Sequence, residues 1–253
     1  MQADSTGSGV QSIDRALQLL EQLADAGGSL RLAQLQAATG LPLPTVHRLL
    51  RSLAHNGYVR QDSARRYTLG PRLIRLGEEA GRELGSWAKP RLAELVSEIG
   101  ETANMALLEG DTVVYVAQVP SAHSMRMFTE VGRRVDAHCT GVGKALLSQL
   151  SDRQVLELLG RTGMPAQTTR TLTDPSALLA EIGEVRDRGW AMDDAEQEEG
   201  VCCVAVPVAG APTHTALSIS GPSGRITVER VAQIAPILLR VAGGLAADLD
   251  GNT

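Results

Sequence analysis

Arg48, Arg51, Arg60, Arg65 and Arg66 lie between Leu41 and Gly70 beside a single acid, Asp62, in a chain of formal net charge -5. Guanidinium groups at that density suit a polyanion. They neutralise phosphates, and their paired N–H donors match the edge of a guanine. Thr45 and His47 stand among them as further hydrogen-bonding side chains. A second set of reactive types lies further on. "GVGKALL" puts Gly141, Val142 and Gly143 at the start of a helix, where backbone N–H groups and the helix dipole favour an anion such as a carboxylate. Cys202 and Cys203 in "VCCVAV" point to opposite faces of a strand, so one faces inward, whereas Ser218 and Ser220 in "ALSISG" share a face. Asp193 stands at the end of "GWAMDD". Small donors, a thiol and a carboxylate suit a compact polar ligand.

The same residue types could also serve as catalytic or metal-binding groups. A thiol enzyme would need Cys203 or Cys139 next to a histidine base. His138 adjoins Cys139, but neighbours in a strand face opposite ways, and His123 and His214 have no distinguishing context. His138, Cys139, Cys202 and Cys203 could supply four ligands, yet no C-x-x-C spacing exists. "TGVGKAL" is too short for a phosphate-binding loop, and no dinucleotide fingerprint is present. No catalytic residue, metal or cofactor is therefore expected. Three cysteines behind a start, "MQADSTGSGV", that lacks a basic and apolar leader fit reduced thiols in the cytoplasm. No apolar run approaches the ~20 residues of a membrane span, so no membrane partner is expected.

The elements that must carry these groups follow from spacing. Residues 1–76 hold nine of the 24 Lys and Arg but only five of the 29 Asp and Glu, so a basic front module precedes an acidic remainder. "SIDRALQLLEQLADAGG" has Ile13, Ala16, Leu17, Leu20 and Leu23 at helical spacing, predicting one buried face. "LRLAQLQAATG" predicts a second helix, with Leu32, Leu35 and Ala38 on one face and Gly40 as its stop. A third begins at Pro42 or Pro44 and buries Val46, Leu49, Leu50 and Leu53, leaving Thr45, His47, Arg48, Arg51, Ser52 and His55 elsewhere. That is a helix-turn-helix, and "YVRQD" with "RRYTLG" adds a hairpin wing. A helix of this kind fits the major groove of double-stranded DNA. One helix reads a half-site, so a homodimer on a palindromic operator is expected.

Beyond the wing, Leu73, Leu76, Ala80 and Leu84 line one helix. After a break at Gly85 and Ser86, Trp87, Leu92, Leu95, Val96 and Ile99 line another. "TANMALLEGDTVVYVAQVP" predicts a hairpin about Gly110-Asp111, and "SMRMFTEVGRR", "GWAMDDAE", "VCCVAVPVAG" and "HTALSISG" further strands. Helices separate them, which gives an α+β domain with one antiparallel sheet. Met105, Met125 and Met127 are candidates for an apolar pocket wall, although core packing is the commoner role. The expected layout is a disordered tail at 1–9, a DNA-binding domain at 10–70, linker helices at 71–99 and an effector-binding domain at 100–250.

"LPLPTVHRLLRSLAHNGYV" followed by "YTLGPRLIRLG", then "AHCTGVGKALLSQL" and "SISGPSGRIT", resembles the IclR family of bacterial transcription regulators, from about Val10 to Asp248. The resemblance implies an N-terminal winged helix-turn-helix, a linker helix and a C-terminal α+β, GAF-like effector-binding domain, assembled as a dimer of dimers. Arg60, Arg65 and Arg66 would meet phosphates. Leu43-Pro44 replaces a polar pair usual in the family, leaving Thr45 to supply the hydroxyl. In oxo-acid-binding members the matching positions form the pocket, which implies Gly141, Val142, Asp193, Cys203, Ser218 and Ser220 here. The expected effector is a small organic acid, either glyoxylate or a ureide (allantoin or allantoate). An aromatic acid is the alternative, and most relatives repress.

Overall fold

The structure, a computed structural model, describes residues 10–84, 88–127, 130–211 and 213–250. The tail expected at 1–9 and the break expected at Gly85, Ser86 and Trp87 lie outside the described residues. The chain forms two compact units, Met1–Ala80 and Gly81–Thr253.

The first unit runs α1 (Gln11–Asp25), β1 (Leu30–Arg31), α2 (Leu32–Thr39), α3 (Leu43–His55), β2 (Val59–Gln61) and β3 (Arg66–Leu69), with α4 (Arg72–Leu84) starting behind it. Gly40 ends α2 in the left-handed region at φ 66°, and its N–H returns to the Gln36 carbonyl. Pro44 sits in the first turn of α3, where a missing N–H costs nothing. Leu19, Leu23, Leu35, Val46, Leu50, Val59 and Tyr67 form the core, with Leu49 and Leu53 packed against it. The three strands pair in the order β1-β3-β2. Gly70 closes the wing so tightly that a Cβ there would lie 2.2 Å from the Gly57 carbonyl oxygen.

Three helix faces differ from expectation. On α1 the buried side is Leu19 and Leu23, whereas Ile13 and Leu17 are exposed. Ala38 of α2 is exposed too. On α4 Ile74, Leu76 and Ala80 are all exposed.

The second unit is a helix–sheet–helix sandwich. It runs α5 (Lys89–Ile99), β4 (Thr102–Glu109), β5 (Thr112–Val119), β6 (Arg134–Val135), α6 (Gly141–Leu147), α7 (Asp152–Thr162), α8 (Pro175–Arg188), β7 (Ala191–Asp194), β8 (Val201–Pro207), β9 (Thr215–Pro222) and α9 (Val228–Asp250). The sheet is antiparallel with order β6-β5-β4-β9-β8-β7. Alternation sorts its side chains. Cys202, Val204, Val206, Leu217 and Ile219 pack under α5 and α9, while Ala205 and Ala216 pack under α6, α7 and α8. Met105 belongs to the first layer and is core. Local signals start the helices: the Thr140, Ser151 and Asp174 side chains accept from backbone N–H groups at the N-termini of α6, α7 and α8.

Three expectations are corrected here. The strand predicted over 124–134 is reduced to Arg134–Val135 among the described residues. The carbonyls of Met125 and Met127 instead accept from the Arg225 guanidinium and the Thr102 hydroxyl. His138 and Cys139 lie in a turn before α6, not in a strand. Finally, Val228–Asp248 is long and apolar enough by composition to cross a membrane. Its buried residues Val231, Ile234, Ala235, Leu238, Val241, Ala242 and Leu245 form one stripe that packs on the sheet.

Candidate functional site

α3 divides as its periodicity demands. Val46 and Leu50 are fully buried, Thr45 is half-buried, and His47, Arg48, Arg51, Ser52 and His55 are exposed. The guanidinium groups of Arg48, Arg51 and Arg65 have no ion pair or hydrogen-bond partner among the described residues. Arg60 donates through Nε to the Thr68 hydroxyl at 3.0 Å, and Arg66 to the Ser29 carbonyl at 3.1 Å, which fixes both stems on the wing. Asp62 ties the hairpin by accepting from the Arg66 N–H, and Arg65 at the tip takes φ 57°. The unit thus presents unneutralised guanidinium groups on a helix and a hairpin of its own. That arrangement attracts phosphates without first breaking internal ion pairs.

In the second unit, the face of the sheet beneath α6 is polar. Asp193 pairs across from Cys203, and Cys203 from Ser220. Ser218 lies two residues along from Ser220 on the same face. Asp193, Cys203, Ser218 and Ser220 are all buried. The Ser220 and Ser218 hydroxyls and the Val142 N–H face the Cys203 sulfur. A Cβ on Gly141 would stand 3.0 Å from that sulfur, so glycine lets α6 approach β8. All six residues named from the sequence therefore converge. Val142 does so through its backbone alone, since its side chain is core. The helix-dipole expectation is weaker than its sequence implied: α6 has only seven residues, and Thr140 already accepts the Gly143 N–H.

Sequence reading missed three members of this face. Asn104 on β4 is fully buried and donates to Ser220 Oγ at 3.3 Å and Ser218 Oγ at 3.5 Å, while Gln118 donates to its Oδ1 at 3.2 Å. Lys144 of α6 is 2% exposed and places Nζ 2.6 Å from Glu196 Oε1. Glu196 Oε2 is buried without a hydrogen-bond partner among the described residues. The signal was available for Lys144, since Lys89 and Lys144 are the only lysines in a chain that otherwise uses arginine. Glu196 belongs to the loop after β7, where Ala195 takes φ 59°. Thr168 and Thr171 hydroxyls hold this loop by donating to the Glu196 carbonyl. A cleft of about 480 Å³ opens at the end of the polar face. Met125, Met127, Arg126, Arg133, Glu198, Val201 and Pro222 line it, and none of the six residues named from the sequence does. Val201 and Pro222 pair with each other and share the face of Cys203 and Ser220, two residues along each strand.

Electrostatics separates the groups. Burial, followed by the Asp193 carboxylate, pushes the Cys203 thiol up to about 11. Burial and nearby carboxylates push Cys139 and Cys202 to about 12. Protonated thiols are poor nucleophiles. Burial also lifts the Asp193 carboxyl from 3.8 to about 7, against the N–H groups of Glu196 and Gln197 that it accepts. A carboxyl whose folded pKa is raised holds its proton in the fold. Its stabilisation is complete below about pH 4 and is lost as pH rises through 7. Asp193→Asn keeps an acceptor for the loop and removes this loss. Relative to wild type, the variant should therefore gain about 2 kcal/mol between pH 5 and 7.5. Urea midpoints at the two pH values measure it, and an unchanged difference would assign the titration elsewhere.

Comparison with known proteins agrees with these two units. Residues 80–246 match the family model "Bacterial transcriptional regulator IclR C-terminal", and residues 12–63 match "IclR helix-turn-helix domain". The chain is 37% identical over 247 residues to the transcriptional repressor IclR of Escherichia coli K12, covering 95% of this chain and 90% of the relative. It is 37% identical over 240 residues to the acetate operon repressor of Salmonella typhimurium, covering 92% and 88%. The crystal structure of an IclR transcriptional regulator from Alicyclobacillus acidocaldarius superposes with TM-score 0.82 at 27% identity, covering 94% of this chain and 98% of that one.

Proposed function

The chain belongs to the IclR family of bacterial transcriptional regulators, and from that membership we propose a ligand-responsive repressor that grips a palindromic operator as a dimer and senses a small organic acid. The helix-turn-helix makes it a DNA-binding protein rather than an enzyme. Both curated relatives named above are repressors, one of them of an acetate operon. Residues 10–70 read the operator, with Thr45, His47, Arg48 and Arg51 toward the bases and Arg60, Arg65 and Arg66 on phosphates. α4 is the connection. Sensing falls to the unit that ends near residue 250, with α5 included because Leu92, Leu95 and Ile99 pack in its core. The protein acts in the cytoplasm as a dimer of dimers.

The observation that carries the sensing half is the buried polar face: Asn104, Asp193, Cys203, Ser218 and Ser220 with the backbone of Gly141 and Val142, which an open cleft lined by Val201 and Pro222 adjoins along the same strands. Polar groups are costly to bury, and a face that collects so many is suited to a polar ligand. With its pKa about 7, Asp193 donates to a carboxylate when protonated and accepts from a ureide N–H when ionised. The pocket supports glyoxylate, allantoin or allantoate as effector, and Arg126 and Arg133 at the cleft supply attraction for an anion.

Two measurements test the proposal. Arg48→Ala and Arg51→Ala should each weaken operator binding by about 10–100-fold with stability unchanged within about 0.5 kcal/mol. Unaltered gel shifts for both would sink the assignment of α3. Calorimetric titration with glyoxylate, allantoin, allantoate and a hydroxybenzoate should show binding of a small acid or ureide, lost in Ser218→Ala/Ser220→Ala. Operator and effector must then shift each other's affinity by the same factor. Binding of the aromatic acid alone, or full binding by the double variant, overturns the ligand and leaves the DNA half standing.

A further inference from the structure

The turn that leads into α6 brings together three residues that the reading above does not use. A carboxylate oxygen of Asp136, a ring nitrogen of His138 and the sulfur of Cys139 all lie within 4.8 Å of one another. His138 is 2% exposed and Cys139 is fully buried, whereas Asp136 reaches partly to solvent. We propose that Asp136, His138 and Cys139 bind one divalent transition-metal ion of the zinc class, with a coordination position left open on the solvent side of Asp136.

The donor set selects the metal. One oxygen, one imidazole nitrogen and one sulfur suit a borderline ion such as zinc or cobalt, and a thiolate disfavours magnesium and calcium. The ring of His138 is set for ligation. Its Nε2 lies 3.0 Å from the Pro165 carbonyl oxygen. A carbonyl only accepts, so Nε2 carries the proton and Nδ1 keeps its lone pair. Ligation would therefore run through Nδ1, and a carbonyl on the other nitrogen is a common support for a ligating histidine. Asp136 also has an outer partner, since Gln167 Nε2 donates to its Oδ2 at 3.1 Å; the Cys139 thiol donates to Gln197 Oε1 at 2.9 Å, and the metal would displace that proton on binding. No lysine or arginine pairs with Asp136 among the described residues, so the carboxylate has no protein cation.

The geometry needs little adjustment. Metal–ligand bonds of about 2.0–2.3 Å put tetrahedral ligand atoms roughly 3.5 Å apart, which side-chain rotation reaches from the present spacing. All three ligands lie on one turn whose Asp136 carbonyl accepts from the α6 cap, Thr140. A bound ion would therefore fix the start of α6.

The test uses the untagged full-length protein, reduced and stripped with a chelator, then titrated with cobalt(II) and zinc(II). One equivalent of cobalt should produce a thiolate charge-transfer band and intense visible bands of tetrahedral cobalt, displaced by zinc. Cys139→Ser should abolish the charge-transfer band while Cys202→Ser keeps it. Asp136→Asn, on the most accessible ligand, keeps the proposal testable should Cys139→Ser fail to fold, and it should weaken zinc at least tenfold. Absence of stoichiometric binding, a band that survives Cys139→Ser, or Asp136→Asn binding zinc as wild type does would each overturn the site.

Discussion

Lys144→Met is expected to destabilise the C-terminal unit by about 3–5 kcal/mol, the cost of leaving one member of a buried ion pair alone. The ammonium of Lys144 reaches Glu196 Oε1 at 2.6 Å, and both side chains are removed from water. Take away the cation and Glu196 keeps a carboxylate whose second oxygen already lacks a partner. The carboxylate must then ionise unpaired, take up a proton or leave the interior. Leaving would drag the loop after β7, whose Glu196 N–H donates to Asp193 Oδ1 at 2.7 Å. The double variant Lys144→Met/Glu196→Gln removes both charges and should recover most of the loss. Both tryptophans, Trp87 and Trp190, lie beyond residue 80, so tryptophan fluorescence in urea follows this unit alone. If the double variant were as unstable as the single one, the loss would come from packing along α6 rather than from the orphaned charge.

Gly143→Ala should be nearly as damaging, about 3 kcal/mol or more, for a steric reason. A Cβ at this position would stand 2.2 Å from the Ala137 carbonyl oxygen and 2.5 Å from both Ala137 Cα and Thr140 Oγ1. Two of those atoms are backbone and the third is the cap of the helix, so nothing yields cheaply. Gly160 in α7 is the control. A Cβ there meets nothing within 4 Å, and Gly160→Ala should stabilise by up to about 1 kcal/mol through helix propensity. Thermal or urea unfolding should show opposite signs for the two changes. Equal effects would mean that the turn before α6 is free to move.

α3 was legible because one arc of its surface is apolar and the rest is not, so Val46, Leu49, Leu50 and Leu53 left only one orientation. On α1 the same spacing misled. Ile13 and Leu17 are spaced as a core pair would be, yet Leu19 and Leu23 take the interior. Its apolar residues form one arc of roughly 160° at 100° per residue, and the core takes only the edge of that arc that carries Leu19 and Leu23. The pairing of Ser218 with Ser220 and the opposition of Cys202 to Cys203 followed from strand alternation. Asn104 escaped because a single asparagine in "TANMALLE" carries no pattern; its role arises only when β4 pairs with β9. Residues 124–127 failed as a strand because their carbonyls are satisfied by Thr102 and Arg225, a side-chain solution that no local sequence announces.

The order of strands in the second sheet has a consequence for how the protein is made. β4 lies between β5 and β9, with Thr102 opposite Ser220 and Leu107 opposite Thr215. During synthesis the ribosome delivers β4 and β5 early, but the strand that joins them to β8 and β7 emerges almost last. At typical elongation rates the stretch from Thr102 to Thr215 takes on the order of 10 s to appear. The first unit waits for nothing comparable, because its longest strand pairing, Leu30 with Tyr67, closes within its own residues. The arginines of α3 and the wing are thus on a folded surface while the sheet of the second unit is still half made. Translation that stops before Thr215 yields a chain with its N-terminal unit complete and its second sheet without the strand that joins the two halves.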